Sequence, residues 1–348
     1  MRILKSGLHA KINDGAQSTA QGDGKDSMMQ AHSMIPIEQI RQAQRHIKAV
    51  ALRTPLVRLQ TDQTDAEIYL KLENLQPVNS FKIRGAVNAI EHAQPAQLAK
   101  GVWTASAGNM ALALAWYAKK IGVKCTVLVS DLVPQDKLTK LKQHGCLIKK
   151  VPFHAWVEVI QTHQFEGLEG VFVHPVSNVH VMAGNGTIGV EILEDLPDVD
   201  SIIMPYGLGG LVCGIGSALR QLQPHVSLYA SETQAATPLA SSVAAGKQVS
   251  VDYNPSFVDA MGAPMLLAEM WPLAKSLIDD VIVNPLSEVA AAMKQLAEQN
   301  RIIAEGAGAV SVAAALSGKA GSGKIVCVVS GGNIDTDKLI TILSNRLP

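Results

Sequence analysis

The sequence predicts an α/β protein with doubly wound parallel sheets, and three features support this prediction. Short apolar runs alternate with amphipathic stretches along most of the chain. The apolar runs are continuous, as in strands of a parallel sheet that helices cover on both faces. The chain has 348 residues, 47% of them hydrophobic, which is enough for about two domains with buried cores.

The folded part of the chain is predicted to begin near Ile35. Residues 1–33 are polar and rich in glycine, which is the composition of a disordered extension. A helix is predicted over 35–51, ending before Pro55. The strand candidates are 67–72, 101–106, 124–130, 146–152, 171–175, 201–207, 227–231 and 324–330. The helix candidates are 80–93, 110–120, 135–143, 187–196, 210–221, 287–299 and 307–316.

Charge and cysteine content exclude several classes of protein. Lys+Arg and Asp+Glu both total 30, so the chain has no electrostatic reason to bind nucleic acid or an anionic membrane. The four cysteines are scattered, without the spacing of a zinc or redox pair. The uncharged run 201–219 contains a proline and five glycines, which favours a strand, loop and helix over a membrane span. Residues 1–33 lack the apolar core of a secretory signal, so we expect a cytoplasmic protein.

Two glycine-rich segments resemble nucleotide-binding motifs but fail in detail. Residues 318–324 read GKAGSGK, yet the next residue is Ile325 where magnesium binding needs Ser or Thr, and a strand follows. Residues 207–212 read GLGGLV, with Val212 where a dinucleotide fingerprint has glycine. Glu232 stands at about the distance of a ribose-binding acid, so an NAD-dependent oxidoreductase is kept as an alternative.

Lys82 is the first candidate catalytic residue. Ser80 is a suitable helix N-cap, which would place Lys82 in the first helical turn. Phe81 and Ile83 flank the lysine, and an apolar setting lowers the pKa of an amine and favours Schiff-base chemistry. The alternative is an ordinary solvated surface lysine.

Three further segments stand at predicted turns between strands and helices. Residues 104–110 (TASAGNM) offer free backbone N–H groups that suit a carboxylate. Residues 207–210 (GLGG) can seat a phosphate at the following helix N-terminus. Ser330, in SGGN, places a hydroxyl at the carboxyl end of a strand, where open α/β sheets bind ligands. Each segment alone is equally well explained as a capped helix start or a tight turn.

Together the segments resemble the pyridoxal-phosphate enzymes of fold type II, in the serine/threonine dehydratase and serine racemase branch. The resemblance covers the chain from about Ile35 to its end. It rests on KLENLQPVNSFKIRGA, TASAGN, HPVSNVHVMAGNGTIGVEIL, PYGLGGLVCGIGSAL, AEGAGA and SGGNID, in that order. It implies two doubly wound domains, with the cofactor in the cleft between them: a small one at 100–177, and a large one at 34–99 and 178–348.

The resemblance also implies a role for each candidate residue. Lys82 would be the Schiff-base lysine, and the loop 106–110 would bind the substrate carboxylate through Ser106, Ala107, Gly108, Asn109 and Met110. Asn109 would also contact the ring hydroxyl of the cofactor, beside Phe81 and near Glu305. The phosphate would lie on Gly207, Leu208, Gly209 and Gly210. Ser330 would face the pyridine nitrogen, and a neutral partner there makes the ring a weaker electron sink.

The implied reaction is β-elimination from a β-hydroxy amino acid such as L-threonine or L-serine. The freed Lys82 amine would remove the Cα proton as general base. The hydroxyl would leave as water, protonated by the cofactor phosphate as in the family. The product would hydrolyse to a 2-oxo acid and ammonia.

Several positions depart from the family pattern. Leu208 replaces a glycine of the phosphate loop, Met110 replaces the usual His, and Val176 replaces a Phe or Asn. These changes leave room for a bulkier substrate, with a phenyl or carboxylate substituent. Ala107 stands where racemases have a second acid/base serine, which disfavours the alternative of an amino acid racemase.

The resemblance bears on a metal site and on the assembly of the chain. Glu232 and Ala236 match cation ligands of the family, but Pro238 replaces a carboxylate, which leaves a monovalent or divalent cation as an expectation. The family implies a homodimer. A binding protein that has kept the fold without the cofactor is the remaining alternative, and the presence of Lys82, Asn109 and Ser330 disfavours it.

Overall fold

A computed structural model of the chain describes residues 33–348, so the predicted extension over 1–33 lies outside the described residues, apart from Ser33. Strands and helices alternate in the described part. The strands are β1 (Leu56–Arg58), β2 (Glu67–Lys71), β3 (Val102–Ala105), β4 (Cys125–Ser130), β5 (Leu147–Val151), β6 (Val171–Phe172), β7 (Ser201–Pro205), β8 (Ser227–Thr233), β9 (Asp280–Asn284) and β10 (Lys324–Val328). The helices are α1 (Ile37–Ile47), α2 (Lys82–Glu91), α3 (Pro95–Leu98), α4 (Asn109–Lys120), α5 (Gln135–Gln143), α6 (Phe153–Thr162), α7 (Val179–Asp195), α8 (Gly210–Leu222), α9 (Pro238–Ala245), α10 (Trp271–Leu277), α11 (Leu286–Gln295), α12 (Gly306–Leu316) and α13 (Thr336–Leu343).

The strands form two sheets. The larger sheet has the order β1-β2-β10-β7-β8-β9, and every neighbouring pair is parallel except β1 and β2. The smaller sheet has the order β5-β4-β3-β6 and is parallel throughout. The predicted α/β class with parallel sheets is therefore confirmed. The smaller sheet is built from residues between 102 and 172, inside the segment predicted as the small domain, whose boundaries stay a prediction.

Helix α7 is eight residues longer at its start than the sequence predicts. The side chain of Asn178 accepts hydrogen bonds from two backbone N–H groups of the first turn, which fixes the earlier start. Glycines inside α7 weaken a sequence-based helix prediction, but here they permit close packing. A Cβ on Gly184 would lie 2.5 Å from the carbonyl oxygen of Arg84, and one on Gly186 would lie 2.8 Å from that of Gly214.

Other boundaries differ from the predictions for local reasons. The predicted strand 171–175 is shorter, at Val171–Phe172. The predicted helix 80–93 is shorter, at Lys82–Glu91. The sequence patterns do not predict strands β1 and β9 or helices α3, α6, α9, α10 and α13, because these elements are short and lack a long periodic pattern. The segment 318–324 is a turn before β10, as predicted. Over residues 33–348, no helix has both the length and the apolar character to cross a membrane.

Candidate active site

The predicted cofactor-binding and substrate-binding residues line one cavity of about 830 Å³. Its walls include the segments that directly follow β3, β7 and β10, which belong to both sheets. Carboxyl ends of parallel strands are where open α/β sheets bind ligands. The structure brings together the following predicted residues: Phe81, Lys82, Ser106, Ala107, Gly108, Asn109, Met110, Gly207, Leu208, Gly209, Gly210, Glu305 and Ser330.

Lys82 is the first residue of α2 and directs its amine into the cavity. The Ser80 hydroxyl oxygen accepts a hydrogen bond from the Lys82 backbone N–H at 3.3 Å, so Ser80 supports the helix start although Phe81 is the N-cap residue. The Lys82 amine donates to the carbonyl oxygen of Pro175 at 2.9 Å. Burial lowers its pKa to about 8, because the charged form loses hydration. The predicted direction of this shift is confirmed.

The Pro175 carbonyl oxygen, which accepts the hydrogen bond from the Lys82 amine, lies in a turn that His174 holds in place. The sequence patterns do not assign a role to His174. Its Nδ1 accepts the backbone N–H of Ser177 at 2.9 Å, and its Nε2 donates to the carbonyl oxygen of Ile160 at 3.1 Å. Burial lowers the pKa of His174 to about 3, so the ring is neutral and this donor and acceptor pattern is fixed. The turn that carries Pro175 is therefore held to Ile160 and Ser177 through the His174 ring.

The loop 106–110 leads into α4, whose first N–H groups have no partner within the helix. The Ser106 hydroxyl oxygen accepts the Gly108 N–H at 3.3 Å. A Cβ on Gly108 would meet nothing within 4 Å, so the backbone here faces open space. Met110 is buried and packs in the core, which stabilises the helix start. Helix N-termini suit anions, and anion binding at this loop stays a prediction.

The glycine loop 207–210 leads into the thirteen-residue helix α8. Gly209 has φ +100°, a conformation that side chains rarely adopt, and a Cβ on Gly210 would lie 2.8 Å from the carbonyl oxygen of Val176. Leu208 has no such restriction, since its φ is not positive and its partly buried side chain packs against the core. A leucine therefore fits this position without changing the backbone of the loop.

A hydrogen-bonded chain of three side chains crosses one wall of the cavity. The Asn109 amide donates to Oε1 of Glu305 at 2.8 Å, and its oxygen accepts from the Asn333 amide at 2.9 Å. Burial raises the pKa of Glu305 to about 7. Nearby, the Ser330 hydroxyl donates to the carbonyl oxygen of Ala307 at 3.2 Å. Asn333 belongs to the SGGN motif, but its contact with Asn109 could not be read from the sequence.

Glu232 and Ala236, the predicted cation ligands, do not line the cavity. The two carboxylate oxygens of Glu232 accept the backbone N–H groups of Leu239 and Ala240, each at 2.9 Å, at the start of α9. Burial raises the pKa of Glu232 to about 7. Glu232 thus has a structural role as a helix cap, and the cation stays a prediction.

The segment 246–270 forms a wall of the cavity that sequence reasoning missed. It supplies Tyr253, Phe257, Asp259 and Met261 to the lining. It contains no strand or α-helix. Irregular segments of this length inside compact domains are often functional, and that length is the signal that could have found it.

The chain belongs to the family of pyridoxal-phosphate-dependent enzymes. Residues 47–331 match that family, described as "Pyridoxal-phosphate dependent enzyme". An L-threonine ammonia-lyase of Thermotoga maritima is 37% identical over 320 residues, covering 90% of this chain and 79% of the relative. A putative threonine dehydratase of Sinorhizobium fredii is also 37% identical, covering 87% of this chain and 93% of the relative.

Solved structures agree with the sequence relatives. Maize serine racemase superposes with a TM-score of 0.80 at 31% identity, covering 90% of this chain and 98% of that chain. Threonine deaminase isoform 2 of Solanum lycopersicum superposes with a TM-score of 0.79 at 26% identity, covering 93% and 94%. The predicted membership in fold type II, in the dehydratase and racemase branch, is confirmed.

Proposed function

We propose that this chain is a pyridoxal-phosphate-dependent ammonia-lyase acting on a β-hydroxy amino acid such as L-threonine or L-serine. The observation that carries the proposal is the Lys82 amine, whose pKa is lowered to about 8 in a cavity that also holds two helix N-termini. The relatives named threonine ammonia-lyase and threonine dehydratase support the same reaction. The products would be a 2-oxo acid and ammonia, since the water that is lost is later regained.

The residues present fit pyridoxal phosphate. The phosphate would lie on the backbone of Gly207–Gly210 at the start of α8, where Gly209 and Gly210 allow no larger residue without strain. Asn109 would hold the ring hydroxyl, and Ser330, buried at the end of β10, would face the ring nitrogen. When bound, the cofactor supplies an electron sink for the bond broken at Cα.

The side chains of the protein would then handle binding and protons. The N–H groups of loop 106–110 would bind the substrate carboxylate and fix the orientation of the Cα–H bond. The Lys82 amine would accept the Cα proton, and a pKa near 8 keeps a useful fraction of it neutral at pH 7. Glu305 would act through Asn109. Its carboxylate accepts a hydrogen bond from the Asn109 amide, which would hold Asn109 in place against the ring hydroxyl of the cofactor.

Elimination is favoured over racemisation because the second face of the site lacks an acid. Ala107 lines the cavity at the position where a racemase-like site would carry a hydroxyl. A methyl group cannot return a proton to Cα from that side. Serine racemases nonetheless resemble this chain in fold, so an amino acid racemase is the alternative.

We include in the proposal a homodimer in the cytoplasm, with a small domain at 100–177 that closes over the substrate. The placement of the four-stranded sheet inside that segment supports the domain assignment. Sedimentation of the purified protein tests the dimer.

The experiment is a visible absorbance spectrum of purified protein with and without L-threonine, combined with assays of 2-oxobutanoate and ammonia. We expect a cofactor band that changes with threonine, and equal amounts of both products. Lys82→Ala should lose the band and the turnover, whereas Lys319→Ala, at an exposed lysine, should keep both. Turnover by Lys82→Ala, or D-allothreonine formation without ammonia, would contradict the proposal.

A further inference from the structure

Helix α6 presents an apolar stripe to the active-site cavity. Phe153, Trp156 and Ile160 are spaced three and then four residues apart, so they share one face of the helix, and all three line the cavity. The Phe153 and Trp156 rings are nearly parallel, at 18°, with centroids 6.3 Å apart. Phe153 is 52% exposed and Ile160 only 6%, so the stripe runs from the mouth of the cavity inward.

The inner end of the stripe is connected to the Lys82 amine through the turn of His174 and Pro175. The carbonyl oxygen of Ile160 accepts a hydrogen bond from Nε2 of His174 at 3.1 Å. Pro175, the residue after His174, accepts a hydrogen bond from the Lys82 amine at 2.9 Å through its carbonyl oxygen. Two more apolar residues, Val176 and Leu208, line the same cavity. The apolar wall therefore extends from the solvent edge to the neighbourhood of Lys82.

The cationic groups of the cavity are paired with aspartates. The lining lysines besides Lys82 are Lys137, Lys140 and Lys338. Lys137 contacts Asp259 at 2.9 Å and Lys140 contacts Asp335 at 2.9 Å, while Lys338 lies 3.5 Å from Asp335. No arginine is found among the described lining residues. These aspartates offset the positive charge of the lysines, which weakens the attraction of the cavity for a second substrate carboxylate.

From these contacts we propose that the subsite for the substrate side chain takes an aromatic ring, and that the preferred substrate class is 3-aryl-3-hydroxy amino acids such as L-threo-3-phenylserine. The inference rests on the proposed function and names its substrate class. A ring placed against Trp156 and Phe153 buries much apolar area and gains from ring packing. The methyl group of threonine would reach only part of this wall.

The test uses amino acids that lack the β-hydroxyl and so report binding without elimination. L-Phenylalanine, L-2-aminobutanoate and L-aspartate have the carbon skeletons of phenylserine, threonine and 3-hydroxyaspartate. Each is titrated into the cofactor-loaded protein, and binding is followed by the change in visible absorbance. We expect phenylalanine to bind at least about ten-fold more tightly than 2-aminobutanoate, with aspartate weakest. Equal or tighter binding of 2-aminobutanoate or aspartate would overturn the proposal.

Variants locate the preference on the stripe. Trp156→Ala should weaken phenylalanine binding by about ten-fold or more, and 2-aminobutanoate binding by less than about three-fold. Phe153→Ala should shift the same ratio by a smaller factor, and its half-exposed position makes loss of folding unexpected. Trp116→Ala is the matched control, because this partly exposed tryptophan lies on α4 outside the cavity lining. Equal weakening of all three ligands by both stripe variants would contradict a specific subsite.

Turnover separates this inference from the proposed function. We expect kcat/KM for L-threo-3-phenylserine to exceed that for L-threonine by about ten-fold or more. If phenylalanine binds preferentially but neither hydroxy amino acid is deaminated, the proposed lyase function fails and the aromatic subsite stands. If threonine is deaminated with the higher kcat/KM and phenylalanine shows no preference, the lyase stands and the subsite fails.

Discussion

Helix α2 carries two cations with opposite electrostatic surroundings, the buried Arg84 and the partly buried Lys82. The Arg84 guanidinium contacts Glu73 at 2.8 Å and Glu191 at 2.7 Å, and these carboxylates raise its pKa. The Lys82 amine, two residues earlier, donates to the carbonyl oxygen of Pro175, and burial lowers its pKa to about 8. The surroundings of Arg84 favour its charged form, whereas those of Lys82 favour the neutral, reactive amine.

The arginine belongs to a buried network that is balanced in charge. Lys71 contacts Glu191 at 2.7 Å and also donates to the carbonyl oxygen of Thr54 at 2.7 Å. The cations Lys71 and Arg84 are thus paired with the carboxylates Glu73 and Glu191, next to the helix that begins with Lys82. The paired charges fix the position of α2, while the reactive amine at its start is unfavourable for stability. Such conflicts between stability and activity are expected at active sites.

Arg84→Met should have the largest effect on stability. It leaves Glu73 and Glu191 buried with fewer partners, and we expect the free energy of unfolding to fall by about 3–5 kcal/mol. Urea denaturation of the cofactor-free protein measures this. Arg53→Met is the control, because Arg53 is half exposed and its ion pairs with Glu194 and Asp195 should contribute below about 1 kcal/mol. If both variants lost a similar free energy of unfolding, the buried ion pairs of Arg84 would not stabilise the fold more than the exposed pairs of Arg53.

Lys82→Met should change stability in the opposite direction. The amine has a folded pKa of about 8 and a usual value of 10.5, so below pH 8 the folded protein bears the cost of a desolvated charge. We expect the cofactor-free variant to be more stable than the parent by about 1–3 kcal/mol at pH 7. The gain should disappear as pH rises from 8 to 10.5, where the parent amine becomes neutral. A loss of stability at pH 7 would show that Lys82 is not destabilising.

The positions of the site segments could be predicted because they depend on local patterns. Ser330 and the loops beginning at Ser106 and Gly207 each follow an apolar strand, and parallel strands bring their carboxyl ends to the same side of a sheet. The structure places them around one cavity. The strong continuous strands β3, β7 and β10 made this part of the fold predictable.

The side-chain partners could not be predicted, since they join residues far apart in the sequence. Asn109 and Glu305 are 196 residues apart, and Arg84 and Glu191 are 107 apart. Nothing local marks which charged residues become buried. Similarly, His174 could not be linked to Ile160 without the structure, because a single histidine at a turn has many possible partners.

Glu305→Gln should stabilise the protein by a smaller amount than Lys82→Met. The folded pKa of Glu305 is about 7 and its usual value is 4.5, so above pH 7 the charged carboxylate is buried at a cost. Glutamine keeps an oxygen for the Asn109 amide and removes the charge. We expect a gain of about 1–2 kcal/mol at pH 8 and none at pH 4.5, measured by urea denaturation of the cofactor-free form. A gain of the same size at both pH values would contradict this explanation.

The smallest effect is expected from a substitution of Leu208. Its size shows whether the phosphate group is bound by the backbone of loop 207–210 or also by the Leu208 side chain. Cofactor binding at loop 207–210 depends on N–H groups, while the Leu208 side chain packs against the core. Leu208→Ala should therefore change the cofactor dissociation constant by less than about three-fold. Gly209→Ala forces a side chain onto φ +100° and should weaken cofactor binding by about ten-fold or more. Fluorescence titration with pyridoxal phosphate measures both, and a larger loss at Leu208 would mean that its side chain shapes the phosphate site.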